Sequence, residues 1–337
     1  MKKLEMQLKP MISIILALVI GAGVITMVGE DALNVYSVML QGAFGTTRAA
    51  ASTLVKATTL IFVGLSYGFA YKCGLINIGI EGQLYAGALA GTIAAVYLKL
   101  PAVLHIPVCL FLGFVGGGLW GGLAGFLKNR FGANEMITTV MLNYIAVYLV
   151  GFMVNGPIKE AAGTYPQTEI IQPTAELPVI LPKTQLSIGL FLAAAALLLY
   201  FIFWHYTSEG YEMSMVGSSN EVARYGGIPV RRTVFLSMVV AGGFGGLAGC
   251  MEVMGVQHKL LAGLSAGYGF DGIAVSLLGG NGAVGIFLSS ILFGALRSGG
   301  NSVQMFTKVP MAVIYILQGL VILFAVLDLL KGKKEVH

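Results

Sequence analysis

Residues 104–127 read LHIPVCLFLGFVGGGLWGGLAGFL, and the basic pair Lys128 and Arg130 follows directly. The stretch contains no Asp, Glu, Lys or Arg, which is typical of a helix that crosses a membrane. Glycine recurs every four residues at positions 113, 117, 121 and 125, so one helix face has no side chains. Such a face lets a second helix approach closely in lipid. The stretch therefore predicts a membrane-spanning helix that is packed tightly against another helix.

The composition of the whole 337-residue chain agrees with this interpretation. Hydrophobic residues make up 57% and charged residues 10%, whereas a soluble domain has about 25% charged residues. A water-soluble globular protein, a disordered chain and a disulfide-rich scaffold are therefore excluded. The net charge of +5 does not indicate binding to nucleic acid, because the basic residues are scattered at segment ends and form no stripe.

Apolar segments recur along the chain and predict an all-α polytopic membrane protein. The eight candidate spans are 11–28, 54–71, 75–98, 104–127, 137–154, 187–206, 233–254 and 310–328. A single transmembrane domain over residues 1–337 is expected, with external loops at 29–53 and 155–186 and a cytoplasmic loop at 207–232. The 29–53 loop can form an interfacial helix, and five prolines make 155–186 unsuited to helix.

A ninth apolar segment, 267–297, is broken by Gly279-Gly280-Asn281-Gly282. Its arms 267–279 and 283–297 are each shorter than the roughly 20 residues of a helical span. Basic clusters flank the other spans and place both chain termini in the cytoplasm by the positive-inside rule. Alternation of the spans then requires that 267–297 begin and end outside. We expect about eight full spans plus a broken or re-entrant helical hairpin, giving eight to ten transmembrane helices.

Two short sequences occur twice. Gly121–Gly125 (GGLAG) recurs at Gly245–Gly249, and Gly79–Gly82 (GIEG) resembles Gly269–Gly272 (GFDG). In the expected topology the helices at 104–127 and 233–254 run in opposite directions. That is the arrangement an inverted repeat requires.

Three polar patches interrupt the apolar spans and predict a substrate pathway, because polar side chains at membrane depth face protein or water rather than lipid. The predicted pathway residues are Asn77, Glu81, Gln83, Glu135, Thr139, Asn143, Asp271 and Asn281. Positions 135, 139 and 143 share one helix face. The alternative is that these groups brace helix breaks, or that Glu81 is solvated at the level of the lipid headgroups.

The cytoplasmic loop contains a short helix with its own start and stop signals. Ser218-x-x-Glu221 matches a capping box, in which the serine oxygen accepts from the N–H of residue 221. Gly226, Gly227 and Pro229 end the helix. An ordinary loop helix fits this pattern, as does a lever that is pushed by a cytoplasmic partner.

Enzymatic chemistry finds no support in the sequence. The P-loop pattern and the His-Glu-x-x-His pattern are both missing, and the four histidines are scattered. An intramembrane enzyme would need a nucleophile–base pair or a cluster of metal ligands. The sequence contains neither pattern, which favours a transport protein over an enzyme.

Four motifs resemble the permease subunits of bacterial ATP-binding-cassette (ABC) importers, in the branch for ribose, branched-chain amino acids and nucleosides. They are GLINIGIEGQ (74–83), GANEMITTVMLNYIA (132–146), ARYGGI (223–228) and GYGFDGIAVSLLGG (267–280). Within that branch they are most similar to nucleoside and simple-sugar permeases. The chain has Ile76 and Met136 where typical members have Phe and Val, and both changes stay apolar.

The resemblance implies a permease that moves nucleosides across the bacterial plasma membrane by alternating access. It implies four partners: a second homologous permease as homodimer or heterodimer, a cytoplasmic ATP-binding subunit, an external substrate-binding lipoprotein and the lipid bilayer. ATP and Mg would be bound by the ATPase, so this chain needs no cofactor. The coupling helix to the ATPase would comprise Ser218, Ser219, Asn220, Glu221, Arg224, Tyr225, Gly226 and Gly227. The alternatives are a sugar or amino-acid permease of the same family, or an ion-coupled transporter with Glu81 and Asp271 as coupling acids.

Overall fold

The computed structural model describes residues 16–161 and 163–334, with side chains described to residue 324. Thirteen α-helices and short irregular connections make up these parts of the chain, which contain no strand. The helices are α1 Leu16–Met27, α2 Ala32–Phe44, α3 Thr47–Lys72, α4 Ile80–Tyr97, α5 Ala102–Phe131, α6 Glu135–Asn155, α7 Gly189–Tyr206, α8 Ser208–Ser218, α9 Asn220–Tyr225, α10 Val230–Glu252, α11 Tyr268–Leu278, α12 Ala283–Phe306 and α13 Met311–Lys334. The predicted all-α class is confirmed.

Six of the described helices are long and apolar enough to cross a membrane, namely α3, α5, α6, α7, α10 and α12. A seventh span is possible if α1 and α2 are counted together, although they are bent by 117° at their junction. Helix α4, which has 18 residues, packs against α5 and α10, and α13 packs against α11 and α12. The expected count of about eight is therefore approximate, and residues 11–15 of the first predicted span lie outside the described residues.

Helix ends gather at two opposite ends of the bundle. At one end, which we call the basic end, Asn129 Nδ2 of α5 donates to the Arg231 carbonyl of α10 at 2.6 Å. At the other, which we call the loop end, the Gln172 N–H donates to the Ala95 carbonyl of α4 at 2.9 Å. The connection between α6 and α7 covers the loop end as irregular chain, with one helical turn at Pro173–Ala175. Its position matches the predicted 155–186 loop.

The predicted 29–53 loop needs correction. Helix α2 occupies most of it and packs on α12, and α3 begins at Thr47 rather than at residue 54. Thr46 caps α3, because its Oγ1 accepts from the Ala49 N–H at 3.1 Å. The first turn of α3 contains polar Thr and Arg residues, so a prediction from hydropathy places the start of the helix too late.

The broken hairpin exists, but its second arm is longer than predicted. Helix α11 has 11 residues, too few to span, whereas α12 runs 24 residues to Phe306 and is a full-length span. The turn between them uses positive φ at Gly280 and Asn281. Tyr200 Oη of α7 donates to the Asn281 carbonyl at 2.8 Å and fixes this turn. The hairpin therefore combines one half-length helix with one span.

Glycines join α4, α5 and α10 into the tightest part of the bundle. A Cβ atom on Gly117 of α5 would collide with the backbone of Gly242 and Gly246 of α10, and one on Gly87 of α4 would also collide with Gly246. The predicted close approach at the glycine face is confirmed. The two GGLAG segments thus lie in antiparallel helices that pack together, as an inverted repeat requires. The repeat itself stays a prediction.

Candidate translocation pathway and coupling element

Helix α3 ends at Lys72 and α4 begins at Ile80, and polar side chains stabilise the helix break between them. Asn77 and Gln83 form a reciprocal amide pair, each donating to the other's side-chain oxygen at 3.1 Å. Asn77 Oδ1 also accepts from the Gly79 N–H at 3.0 Å. Free backbone groups at this depth need such partners, because lipid offers none. Asn77 therefore satisfies a backbone N–H group at the helix break directly, and Gln83 holds the Asn77 side chain in place.

Helix α6 supports the same break from the side. Asn143 Oδ1 accepts from the Gly82 N–H at 2.7 Å, while its Nδ2 donates to the Ile78 carbonyl at 2.9 Å. Thr139 Oγ1 accepts from the Ile78 N–H at 3.3 Å. The polar face of α6 thus meets the packed start of α4.

Glu135, the third member of that face, lies apart from Thr139 and Asn143. Its Oε2 atom is 2.6 Å from Lys128 Nζ, and both side chains are partly exposed at the basic end. The structure therefore places Glu135 at a helix end and not within the bundle.

Two of the predicted pathway residues, Glu81 and Asp271, are acidic and lie inside the bundle. Glu81 bonds α11, and Asp271, which belongs to α11, bonds α12. Glu81 is 7% exposed, and its Oε2 accepts from the Gly269 N–H in the first turn of α11 at 2.7 Å. Asp271 Oδ2 is 2.6 Å from Arg297 Nε of α12. The similar GIEG and GFDG segments, each at the start of a helix, are thus in direct contact. Asn281 lies at the far turn of the hairpin, away from both.

Three charged residues that sequence reasoning did not select lie close to one another, and one of them, Arg297, pairs with Asp271. They are Lys56 of α3, Glu252 of α10 and Arg297 of α12. Each interrupts an apolar helix, and a charged residue within a span is a candidate functional residue in its own right. That signal was available from the sequence, although the packing of these residues into one group was not.

The three charged residues line a cavity of about 270 Å³, which we call the outer cavity. Gln185 of the α6–α7 connection and Gln257 after α10 also line it, so it lies toward the loop end. Tyr268 forms part of its wall, with the Arg297 guanidinium 4.2 Å above the ring.

The predicted coupling element is a pair of short helices, α8 and α9, at the basic end. Helix α9 comprises Asn220, Glu221, Val222, Ala223, Arg224 and Tyr225, and Gly226 and Gly227 follow, the latter with φ of +78°. Tyr225 is 95% exposed. Helix α8 is seated against the bundle, because a Cβ atom on Gly217 would collide with the Lys72 carbonyl at the end of α3.

The predicted capping box is wrong in detail. Ser219 is the cap, since its Oγ accepts from the Val222 N–H at 3.4 Å. Ser218 ends α8, and its hydroxyl donates to the Ser214 carbonyl at 3.0 Å. A second helix directly before α9 shifts the cap by one residue, and the local pattern did not reveal that helix. The short helix and its glycine stop are as predicted.

No group of three His, Cys, Asp or Glu residues that could hold a metal ion occurs within the described ranges. The three cysteines, Cys73, Cys109 and Cys250, are free and buried.

Comparison with known proteins places this geometry in a family. Residues 49–326 match the family described as "Branched-chain amino acid transport system / permease component". The chain is 35% identical to the guanosine ABC transporter permease protein NupP of Bacillus subtilis, over 96% of this chain and 94% of the relative. It is 36% identical to the glucose ABC transporter permease protein TsgB13 of Haloferax volcanii, over 94% and 86% of the two chains.

A third relative is the nucleoside ABC transporter permease protein NupB of Lactococcus lactis, 35% identical over 87% of this chain and 83% of the relative. No solved structure matches the chain. The helical bundle and the extent of these matches agree, and the chain belongs to the branched-chain amino acid transport system permease family, the multi-pass membrane subunits of ABC importers.

Proposed function

We propose that this permease carries nucleosides across the bacterial plasma membrane by alternating access. The observation that carries the proposal is the similarity, at 35% identity and over most of both chains, to permeases named for guanosine and for nucleosides. A neutral, hydrogen-bonding substrate also suits the polar groups inside the bundle. The chain performs no covalent chemistry in this proposal.

Members of this family work with an ATP-binding subunit and a substrate-binding protein. In our proposal the ATP-binding subunit holds ATP and Mg, so that this chain needs no cofactor of its own. An external lipoprotein delivers the nucleoside, and a second homologous permease, identical or related, completes the pathway.

Uptake tests the substrate. Cells that express the complete transporter and lack other nucleoside uptake should accumulate labelled guanosine in an ATP-dependent manner, also when ionic gradients are collapsed. Unlabelled glucose and leucine should not compete at concentrations at which unlabelled guanosine does. Competition by glucose alone would assign the chain to sugar transport, as for the Haloferax relative. Loss of uptake with the ionic gradients would indicate an ion-coupled transporter.

The coupling role of α9 is the second part of the proposal. Arg224 lies in its last turn beside the exposed Tyr225, so reversing its charge changes a surface that a cytoplasmic partner can reach. Arg224→Glu should leave membrane insertion intact and lower uptake at least about tenfold, as expected for loss of contacts to a charged group. Lys308→Glu, the same reversal on an exposed residue at the loop end, is the control. Normal transport by Arg224→Glu would contradict the coupling role.

A further inference from the structure

The outer cavity lies where an importer receives its substrate. The α6–α7 connection covers the loop end and contributes Gln185 to the cavity wall, and α10 contributes Glu252 from below. The basic end is cytoplasmic by the positive-inside rule, so the loop end is external. The cavity therefore extends from the external side to charged residues inside the bundle.

Lys56 and Glu252 keep hydrogen-bonding capacity that the protein does not use. Lys56 Nζ donates to the Arg297 carbonyl at 3.1 Å and, with the Asn301 amide oriented to satisfy its neighbours, to Asn301 Oδ1 at 2.9 Å. An ammonium group has a third donor. Glu252 Oε1 accepts from Thr59 at 2.6 Å, and a carboxylate accepts several further bonds. Both residues line the cavity.

Arg297 is held in place by contacts within the bundle. Its Nε contacts Asp271 at 2.6 Å, its Nη2 donates to the Ala266 carbonyl at 2.9 Å, and its plane lies over Tyr268. Its side chain therefore forms a fixed part of the cavity wall. The formal charges of Lys56 and Arg297 are balanced by those of Glu252 and of Asp271, the partner of Arg297. This balance favours a neutral ligand.

The cavity wall indicates which neutral ligand fits. Drug-sized ligands occupy pockets of about 300–1,000 Å³ that are mostly apolar. This cavity, at about 270 Å³, is smaller, and its wall is rich in groups that both donate and accept, including Gln185, Gln257, Asn301 and Tyr315. A hydroxyl group has the same dual character. The chemistry of this wall fits a ring that carries several hydroxyls.

We propose that the outer cavity binds the sugar ring of the substrate, with Glu252 accepting from a ribose hydroxyl and Lys56 donating to another. This inference rests on the proposed nucleoside function and names the part of the nucleoside that the permease recognises.

The test compares guanosine with its 2′-deoxy and 3′-deoxy analogues in the complete transporter. The wild type should show a KM about tenfold or more higher for at least one deoxy analogue, the effect of losing a hydrogen bond to a charged group. Glu252→Gln or Lys56→Met should raise the KM for guanosine and bring the deoxy-to-ribo KM ratio toward one. Glu169→Gln and Lys99→Met, at exposed loop-end positions, are the matched controls and should keep the wild-type ratio.

If Glu252 and Lys56 had purely structural roles, their substitution would lower the amount of transporter or its maximal rate. The deoxy-to-ribo KM ratio would then stay unchanged. An unchanged ratio in both cavity variants, or a wild type that does not distinguish deoxy analogues, would overturn the inference while nucleoside transport stands. If the wild type carries no nucleoside but carries glucose, the proposed function fails. Glucose and its deoxy analogues then serve as the pair for the same KM comparison.

Discussion

At the scale of single residues, polar groups inside this bundle mostly bind backbone or one another. Asn77 and Asn143 bond backbone groups at the break before α4, Gln83 pairs with Asn77, and Glu81 accepts from a backbone N–H in the first turn of α11. An unpaired polar group in lipid is costly, so such contacts are required wherever a helix begins at depth. Whether these residues also touch substrate stays a prediction.

Two substitutions of Glu81 distinguish its role as a hydrogen-bond acceptor from a role of its negative charge. Glu81→Leu leaves the Gly269 N–H without a partner, at a cost of about 1–3 kcal/mol. We expect it to lower both uptake and the thermal stability of the purified protein. Glu81→Gln keeps an oxygen acceptor and should retain most of both. Equal losses in the two variants would instead show that the negative charge of Glu81 matters, as an ion-coupled transporter would require.

The Asp271–Arg297 pair gives a second prediction. Arg297→Met leaves a buried carboxylate unpaired and should cost about 3–5 kcal/mol of stability. Adding Asp271→Leu should recover much of that loss, since the lone charge is then removed. The measurement is the thermal transition of each variant in detergent.

Lys128→Met is the control for this pair, because the Lys128–Glu135 ion pair is 31% and 17% exposed. Such a pair contributes only about 0–1 kcal/mol. Arg297→Met and Lys128→Met with similar transitions would refute the buried pair as a stabilising contact.

At the scale of elements, backbone contact between α5 and α10 fixes the centre of the bundle. Dispersion and close packing drive helix association in lipid, because burial from water does not act there. Glycine at each crossing point allows this approach, and a side chain on either helix would separate them.

Gly246→Ala should therefore destabilise the protein by about 1–3 kcal/mol, because its Cβ would meet the Gly113 carbonyl and the backbone of Gly117. Gly151→Ala in α6 is the matched control, since nothing lies within 4 Å of its added Cβ. That change should be neutral or stabilising by up to about 1 kcal/mol. The fraction of monodisperse protein after heating compares the two. Equal tolerance would show that the α5–α10 crossing is looser than described.

At the scale of the whole molecule, charge sets the orientation. The basic end carries Lys128 and Arg130 in the last turn of α5, Arg224 in α9, and Arg231 and Arg232 in the first turn of α10. The loop end also carries basic residues, namely Arg48, Lys99, Lys159, Lys183, Lys259 and Lys308, but they are spread singly along the chain and form no cluster. The bias toward the basic end predicts that it faces the cytoplasm.

Cysteine labelling checks that orientation, because the three native cysteines are buried and give little background. Tyr165→Cys at the loop end should react with a membrane-impermeant maleimide in intact cells. Tyr225→Cys in α9 should react only after permeabilisation. Both parent side chains are well exposed, at 73% and 95%. The reverse pattern would place α9 outside and end its proposed role in coupling.

The sequence by itself determined the class of fold, the main spans and the tight helix packing. Apolar runs without charge must form helices in lipid, since only helices satisfy their own backbone. Glycines at a spacing of four residues must lie on one face, which is a local property. The family motifs likewise lie in continuous stretches. These features depend on neighbours along the chain and could be predicted from it.

Only the tertiary structure decided which polar groups meet. Lys56, Glu252 and Arg297 are far apart in sequence and come together because α10 and α12 both pack against α3. The cap at Ser219, the length of α12 and the engagement of Asn143 with the α4 break also depend on neighbouring elements. Contacts between distant residues follow from how helices are arranged, and hydropathy and local spacing do not encode that arrangement.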